Sequence, residues 1–209
     1  MNLQHGRLVR TLLLSLFALA CSGAASATAL TSKASVDNGY EFYISLSNDV
    51  TGDQFGAHNN WYTSYVDTTT LAAGTDYFLH VHAYDQGGIA GFLGEFSLSG
   101  SDHVFANGTT QLVTNTTHWS GNNSGFSSTY GNLISLGLDG VQPWGNRPDI
   151  LDTAQWIWAG NADSNNQAYF TTQISAVHNA VPEPISISLI GIGLVGLALT
   201  RRRKFVKLD

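Results

Sequence analysis

Two histidines within one alternating segment are the first residues that could do chemistry. His80 and His82 lie in residues 76–84, where Leu79 and Val81 occupy the intervening positions. Because side chains alternate between the two faces of a strand, both imidazoles point to the same side. With His103, His118 or Asp85 they could bind a transition metal. The alternative is the polar outer face of a sheet.

A second candidate metal site consists of oxygen ligands within a single loop. Asn48, Asp49 and Asp53 follow an apolar segment in a stretch rich in turn-forming residues. Calcium binds clustered carboxylate and carbonyl oxygens. The loop therefore predicts a calcium site, with solvated turn residues as the alternative; no other cofactor is expected.

Aromatic residues suggest a third kind of chemistry, the binding of sugars. Aromatic faces pack against the apolar side of a pyranose ring while amide and acid groups fix its hydroxyls. Trp119 precedes a polar loop, residues 120–124, and is the first candidate, followed by Trp61 and the carboxylate of Asp85. The alternative is that these tryptophans belong to the core.

Catalytic motifs are missing from the sequence. There is no Gly-x-Ser-x-Gly elbow, no His-Glu-x-x-His helix and no phosphate-binding loop. A glycosidase needs two carboxylates about 5 to 10 Å apart, and Asp85 with Glu95 could be nominated. Any acidic β domain offers such pairs, so we expect a protein that is not an enzyme.

Short alternating segments predict the elements that position these residues. Residues 40–46, 60–66, 76–84, 90–98 and 167–176 are expected to be strands, with shorter ones at 111–114 and 116–119. Turn-forming Gly, Asn and Asp separate them. Residues 149–158 suit one or two helical turns. We predict an all-β fold, a single β-sandwich domain over residues 28–180.

Charge is distributed unevenly along the chain. Between residues 28 and 181 only Lys33 and Arg147 are basic against thirteen acids, a net charge of −11. Such a surface repels nucleic acids, which are excluded as partners. The single cysteine, Cys21, lies near the N-terminus, so the predicted domain has no disulfide.

The N-terminus has the pattern of a secretory signal peptide. Basic Arg7 and Arg10 precede an apolar run at residues 12–20 and a string of small residues. We predict a signal peptide over residues 1–27, with signal peptidase cutting before Thr28; a cut after Ala29 is the alternative. A lipoprotein acylated on Cys21 is a further alternative.

The C-terminus combines three parts in a fixed order. Val181, Pro182, Glu183 and Pro184 precede an uncharged run, residues 185–200, and a basic cluster, Arg201, Arg202, Arg203 and Lys204. As a helix the run spans about 24 Å, slightly less than a hydrocarbon core of about 30 Å. The basic cluster is expected to stay cytoplasmic, with residues before Pro182 outside.

This tail resembles the PEP-CTERM sorting signal of Gram-negative bacteria. The resemblance covers residues 181–204, leaving a short tail at 205–209. It implies that an exosortase cuts near Pro182 to Pro184, after transient anchoring in the membrane by the helix. It also implies delivery to the cell surface or extracellular matrix. The alternative is a permanent anchor that is never cut.

A weaker resemblance concerns residues 40–98, which are similar to galactose-binding-like jelly rolls. It rests on Trp61, Leu71, Gly74, Asp85, Gly87, Gly88, Ala90, Gly91 and Phe92. It implies a jelly-roll-like sandwich of the kind found in carbohydrate-binding modules. Three functions follow: a structural or adhesive protein of biofilm or envelope, a carbohydrate-binding module that contacts exopolysaccharide, and a secreted glycoside hydrolase.

Overall fold

The computed structural model describes residues 27–127 and 129–177, all as strands, turns and loops. This part of the chain contains no helix that could cross a membrane. The predicted signal peptide up to residue 26, the sorting signal at 181–204 with its helix at 185–200, and the 205–209 tail lie outside the described residues.

Within the described residues twelve strands form two sheets, which confirms the all-β prediction. The first six strands are β1 (Thr28–Asp37), β2 (Gly39–Ser45), β3 (Asp53–His58), β4 (Tyr65–Leu71), β5 (Tyr77–Tyr84) and β6 (Gly91–Leu98). The others are β7 (His103–Phe105), β8 (Gln111–Val113), β9 (Ser120–Asn122), β10 (Ile134–Leu138), β11 (Gln155–Trp158) and β12 (Gln167–Ala176).

Every pairing between these strands is antiparallel. Sheet A has the order β10-β11-β6-β1-β4, with β8 also paired to β6. Sheet B has the order β3-β2-β5-β12-β7, with β9 also paired to β12. The last strand therefore lies inside its sheet, between β5 and the short strands β7 and β9.

The inner faces of both sheets meet in an aromatic core, so the two sheets form a sandwich. Phe92 of sheet A packs against Phe170 of sheet B at 5.0 Å between ring centroids. Phe42 of sheet B contacts Phe96 of sheet A at 5.8 Å, nearly edge to face. These four side chains are fully buried. Apolar burial of this kind is the main stabilising contribution to the fold.

Several predicted strands are confirmed, and β12 matches residues 167–176 throughout. The strand predicted at 60–66 is wrong at its start, because a turn occupies Asn60 to Ser64 and β4 begins at Tyr65. The side chain of Asn60 accepts a hydrogen bond from the backbone N–H of Tyr62 at 3.1 Å, which stabilises this turn.

The helical turns predicted at 149–158 are also wrong. Gln155–Trp158 forms β11, between β10 and β6. Trp156 and Trp158 are fully buried, and so is Ile157 between them. A strand covered on both faces has no alternating pattern, so its period cannot be seen in the sequence. No strand forms at 116–119 either; the short strand β9 follows it.

One carboxylate joins the two sheets along the side where β3 and β4 run together. Asp67 of β4 accepts a hydrogen bond from the Tyr40 hydroxyl of β2 at 2.9 Å. Its other oxygen lies 2.9 Å from Nε2 of His58 in β3. The His58 ring stacks on Tyr65 at 3.8 Å. Burial, together with the Asp67 charge, raises the pKa of Tyr40, so its hydroxyl remains a donor.

Replacing Asp67 by alanine should lower the free energy of unfolding by about 2 to 3 kcal/mol, because the buried Tyr40 hydroxyl and the partly buried His58 ring lose their shared acceptor. Urea unfolding of the full-length protein in detergent, followed by tryptophan fluorescence, measures the change. Thr68→Ala, at the neighbouring exposed position of β4, is the control. Equal midpoints for the two variants would show that this link does not stabilise the sandwich.

Candidate functional site

The three residues of the predicted calcium loop bind to separate partners. Asn48 Oδ1 accepts a hydrogen bond from the Thr171 hydroxyl at 2.6 Å. Asp49 accepts one from Ser47, and Asp53 is the exposed first residue of β3. Within the described residues, no three or more His, Cys, Asp or Glu are grouped to hold a metal. The calcium site remains a prediction.

The histidines considered for a transition metal are not brought together. His80 is buried beneath the ring of Phe126, which is parallel to it at 4.6 Å. His103 donates from Nε2 to the Thr75 carbonyl at 3.0 Å and accepts from the Thr28 hydroxyl at 2.8 Å. His82 pairs instead with a carboxylate described below. Each imidazole thus has its own structural environment.

The polar loop setting predicted for Trp119 is wrong. Its side chain is only 2 % exposed and packs on Phe92 at 5.6 Å and Phe96 at 5.1 Å. Its indole donates to the Val113 carbonyl at 3.3 Å. Burial between the sheets outweighs the polar residues that follow it in sequence. A sugar ring cannot stack on this indole while the core is intact.

The other proposed sugar ligands, Trp61 and Asp85, have mainly structural contacts. The Trp61 ring is half-buried and stacks on Tyr62 at 3.8 Å. Asp85 is 6 % exposed, and its Oδ2 accepts from the Gly87 backbone at 3.0 Å in the turn after β5. Its Oδ1 is buried and has no hydrogen-bond partner among the described residues.

The carboxylates nominated for hydrolysis do not face one another. Asp85 follows β5 of sheet B, whereas Glu95 lies within β6 of sheet A. Glu95 accepts a hydrogen bond from the Leu151 backbone N–H at 3.2 Å. The two residues therefore belong to different local hydrogen-bond networks.

Arg147 is a residue whose role the sequence did not reveal. It is 9 % exposed, and its guanidinium lies over Trp61 at 5.4 Å and over Trp156 at 5.8 Å. It donates from Nε to Ser35 at 3.2 Å and from Nη2 to the Trp61 carbonyl at 3.1 Å. The planar cation thereby attaches two loops to β1.

The face of sheet B that points away from the core contains an open row of functional groups. Glu41 of β2, His82 of β5 and Tyr169 of β12 lie directly opposite one another in register. In the adjacent row Tyr84 pairs with Gln167. We call these five residues the open face: Glu41, His82, Tyr84, Gln167 and Tyr169. Gln167 is exposed and the other four are partly exposed.

Hydrogen bonds and ring stacking hold the open face in one arrangement. Glu41 Oε2 accepts from the Tyr43 hydroxyl at 2.7 Å and from His82 Nδ1 at 3.0 Å. The His82 ring is parallel to Tyr169 at 4.6 Å. The Tyr169 hydroxyl donates to Gln167 Oε1 at 3.1 Å. These contacts restrict the rotamers of the side chains that would meet a ligand.

Two neighbouring features delimit the open face. The Phe126 ring meets Tyr169 edge to face at 5.1 Å and also covers His80. The row of residues that contains His80 is therefore not accessible to a ligand. The Tyr84 ring lies across Gly39, where a Cβ atom would come within 2.5 Å of the tyrosine hydroxyl. The absent side chain of Gly39 therefore permits the position of Tyr84.

The electrostatics of the open face are negative. The hydrogen bond from Tyr43, followed by that from His82, lowers the pKa of Glu41, which is therefore ionised at neutral pH. Burial and the Glu41 hydrogen bond raise the pKa of Tyr43 to about 12, so its hydroxyl stays protonated. Glu41 Oε1 accepts no hydrogen bond from the residues that the structure describes.

A separate apolar cavity lies at another part of sheet B. It measures about 480 Å³ and is lined by the end of β2, the following loop and Tyr77. Leu46 and Val50 in that loop are 71 % and 56 % exposed. Asp53 is its one ionisable carboxylate. Compared with this cavity, the open face has more aromatic and polar side chains close together. We therefore regard the open face as the candidate site.

The fold and the open face define a β-sandwich with an aromatic and acidic outer surface. Comparison with known families identifies residues 180–204 as a PEP-CTERM protein-sorting motif. The chain therefore carries this motif, as predicted from Val181 to Pro184 and Arg201 to Arg203. It is an exported protein, processed by an exosortase in a membrane-associated step and sorted to the cell surface.

No curated protein and no solved structure matches the chain. The resemblance of residues 40–98 to galactose-binding-like jelly rolls consequently stays a prediction. The two-sheet architecture is known from the structure alone, and the sorting motif says nothing about what the sandwich binds.

Replacing Arg147 by lysine should lower the free energy of unfolding by about 1 to 2 kcal/mol. The ammonium group of lysine keeps the positive charge. Unlike the planar guanidinium, it cannot make both hydrogen bonds and also pack against the two indole rings. Urea unfolding of the full-length protein measures the loss, with Lys33→Arg as the matched control. Unchanged stability of Arg147→Lys would mean that the planar geometry of the cation contributes nothing.

Proposed function

We propose that this exported protein is a non-enzymatic, adhesive component of the biofilm matrix or cell envelope. Its β-sandwich binds exopolysaccharide through the open face. The observation that carries this proposal is the row in which Glu41, His82 and Tyr169 lie in register on the outside of sheet B. Delivery to the cell surface by the sorting motif would bring this row to the polysaccharide.

The composition of the row supports sugar binding. The partly exposed rings of Tyr84 and Tyr169 supply apolar faces for pyranose rings. The Glu41 carboxylate and the Gln167 amide supply polar groups that sugar hydroxyls can bond. The residues of the open face lie on three adjacent paired strands, which gives an extended sugar chain several contact points.

The arrangement of carboxylates supports a binding role over hydrolysis. Glu41 is the one carboxylate in the open face, whereas glycosidases use a pair flanking the scissile bond. Asp85 lies in the turn after β5 of sheet B, whereas Glu95 lies in β6 of sheet A. The proposed protein therefore holds its polysaccharide without cleaving it and needs no cofactor.

Tyr169→Ala should weaken binding of the host's exopolysaccharide roughly tenfold, about 1.4 kcal/mol, because a stacking surface is lost. Fluorescence titration of the full-length protein in detergent measures the dissociation constant. Tyr62→Ala removes a tyrosine that is 73 % exposed elsewhere on the molecule and is the control. Absence of binding by the unsubstituted protein, or equal affinity of the Tyr169 variant, would contradict the proposal.

Processing at both ends should leave a mature chain that matches the folded sandwich. Thr28 is 1 % exposed, pairs with Leu71 and bonds to His103. We therefore expect mass spectrometry of the surface protein to show an N-terminus at Thr28, after signal peptidase cleavage, and a C-terminus within residues 181–184. An N-terminus at Leu30 would refute the first expectation, and an intact Asp209 would refute cleavage in favour of a permanent anchor.

A further inference from the structure

The open face contains the Glu41 carboxylate but no lysine or arginine. Of the two basic residues between 28 and 181, Lys33 lies in β1 of sheet A. Arg147 bonds to Ser35 of the same strand. Glu41 meets hydrogen-bond donors that orient it, a tyrosine hydroxyl and an imidazole N–H, instead of a lysine or arginine.

The geometry around Glu41 leaves one oxygen available to a ligand. Both donors bond to Oε2, and the Glu41 side chain is 37 % exposed. Tyr43 and His82 contact the carboxylate through the polar atoms of their rings, and Tyr169 stacks on His82. The site thus consists of one available carboxylate oxygen near several aromatic side chains.

This combination is chemically suited to an ammonium group. A cation gains from a carboxylate through a charge-assisted hydrogen bond and from aromatic faces through their quadrupoles. An acetylated amine has lost that charge, and a uronic acid would be repelled by Glu41. The net charge of −11 between residues 28 and 181 acts in the same direction over longer distances.

We propose that the polysaccharide held by the open face contains amino sugars with free amino groups, one ammonium of which bonds to Glu41 Oε1. This inference rests on the proposed function and names the chemical class of its ligand. Neighbouring sugar rings of the same chain lie on Tyr84 and Tyr169, which follow Glu41 across the sheet on β5 and β12. Deacetylation of the polysaccharide is then the reaction that generates the ligand.

Isothermal titration of the full-length protein in detergent tests the inference with two probes, a hexasaccharide of glucosamine and its fully N-acetylated counterpart. We expect the amino form to bind at least tenfold more tightly. Glu41→Gln should abolish this preference while leaving the shape of the site unchanged. Asp163→Asn removes one exposed negative charge elsewhere and should retain the preference, which separates the local contact from general attraction.

Equal affinity for the two hexasaccharides would overturn the inference, as would a preference that survives in Glu41→Gln. Comparing the two hexasaccharides on the unsubstituted protein requires no variant. This comparison therefore tests the amino-sugar preference even if Glu41→Gln does not fold. Binding of the host polysaccharide without an amino preference would leave the proposed function intact. Failure of every saccharide to bind would refute both.

Discussion

The packing of aromatic rings between the sheets is the interaction on which the rest of this structure depends. The only cysteine of the chain lies at position 21, so no disulfide connects the strands of the sandwich. Phe92 of sheet A contacts two rings of sheet B, Phe42 at 6.4 Å and Phe170 at 5.0 Å. Deleting such a ring would cost about 3 to 5 kcal/mol, a large part of the stability of a domain. Asp67 and Arg147 add polar connections at the sides of this core.

The core and the candidate site are opposite sides of the same three strands. On β5 the side chains of Leu79, Val81 and Ala83 are buried in the core. The alternate residues His82 and Tyr84 point to the outer surface. Once the inward residues are packed, the outward ones are fixed in register with β2 and β12. The rigidity of the open face therefore comes from the core. A surface of this kind is ordered before any ligand arrives, which reduces the entropic cost of binding.

Local pattern predicted the strands whose two faces differ and failed where they do not. β2, β5 and β12 have two faces that differ in burial and were predicted within a few residues. β6 was also predicted, although its first four residues are all buried. β1 was not assigned because small and polar residues, such as Ser32 and Ala34, fill its buried positions. The sorting motif could be predicted because its residues are contiguous in the sequence, and comparison with known families confirms it at residues 180–204.

The candidate site was predictable only in part. Alternation placed His80 and His82 on one side of a strand, but the sequence does not contain the register that brings Glu41 and Tyr169 beside His82. Glu41 and Tyr169 are 128 positions apart in the chain. Likewise, neither the burial of Trp119 nor the contacts of Arg147 follow from the residues next to them, since both depend on loops packing over the sheets.

The location of β12 has a consequence for the order in which the chain can fold. This strand is the last of the described strands, yet it pairs with β5 from Gln167 to Ile174 and with β7 and β9 on its other side. Until residues 167–176 are available, the strands on its two sides have no connection through the sheet. Contacts this distant in sequence form slowly. Sheet B can therefore be completed only after the last strand of the chain has been synthesised.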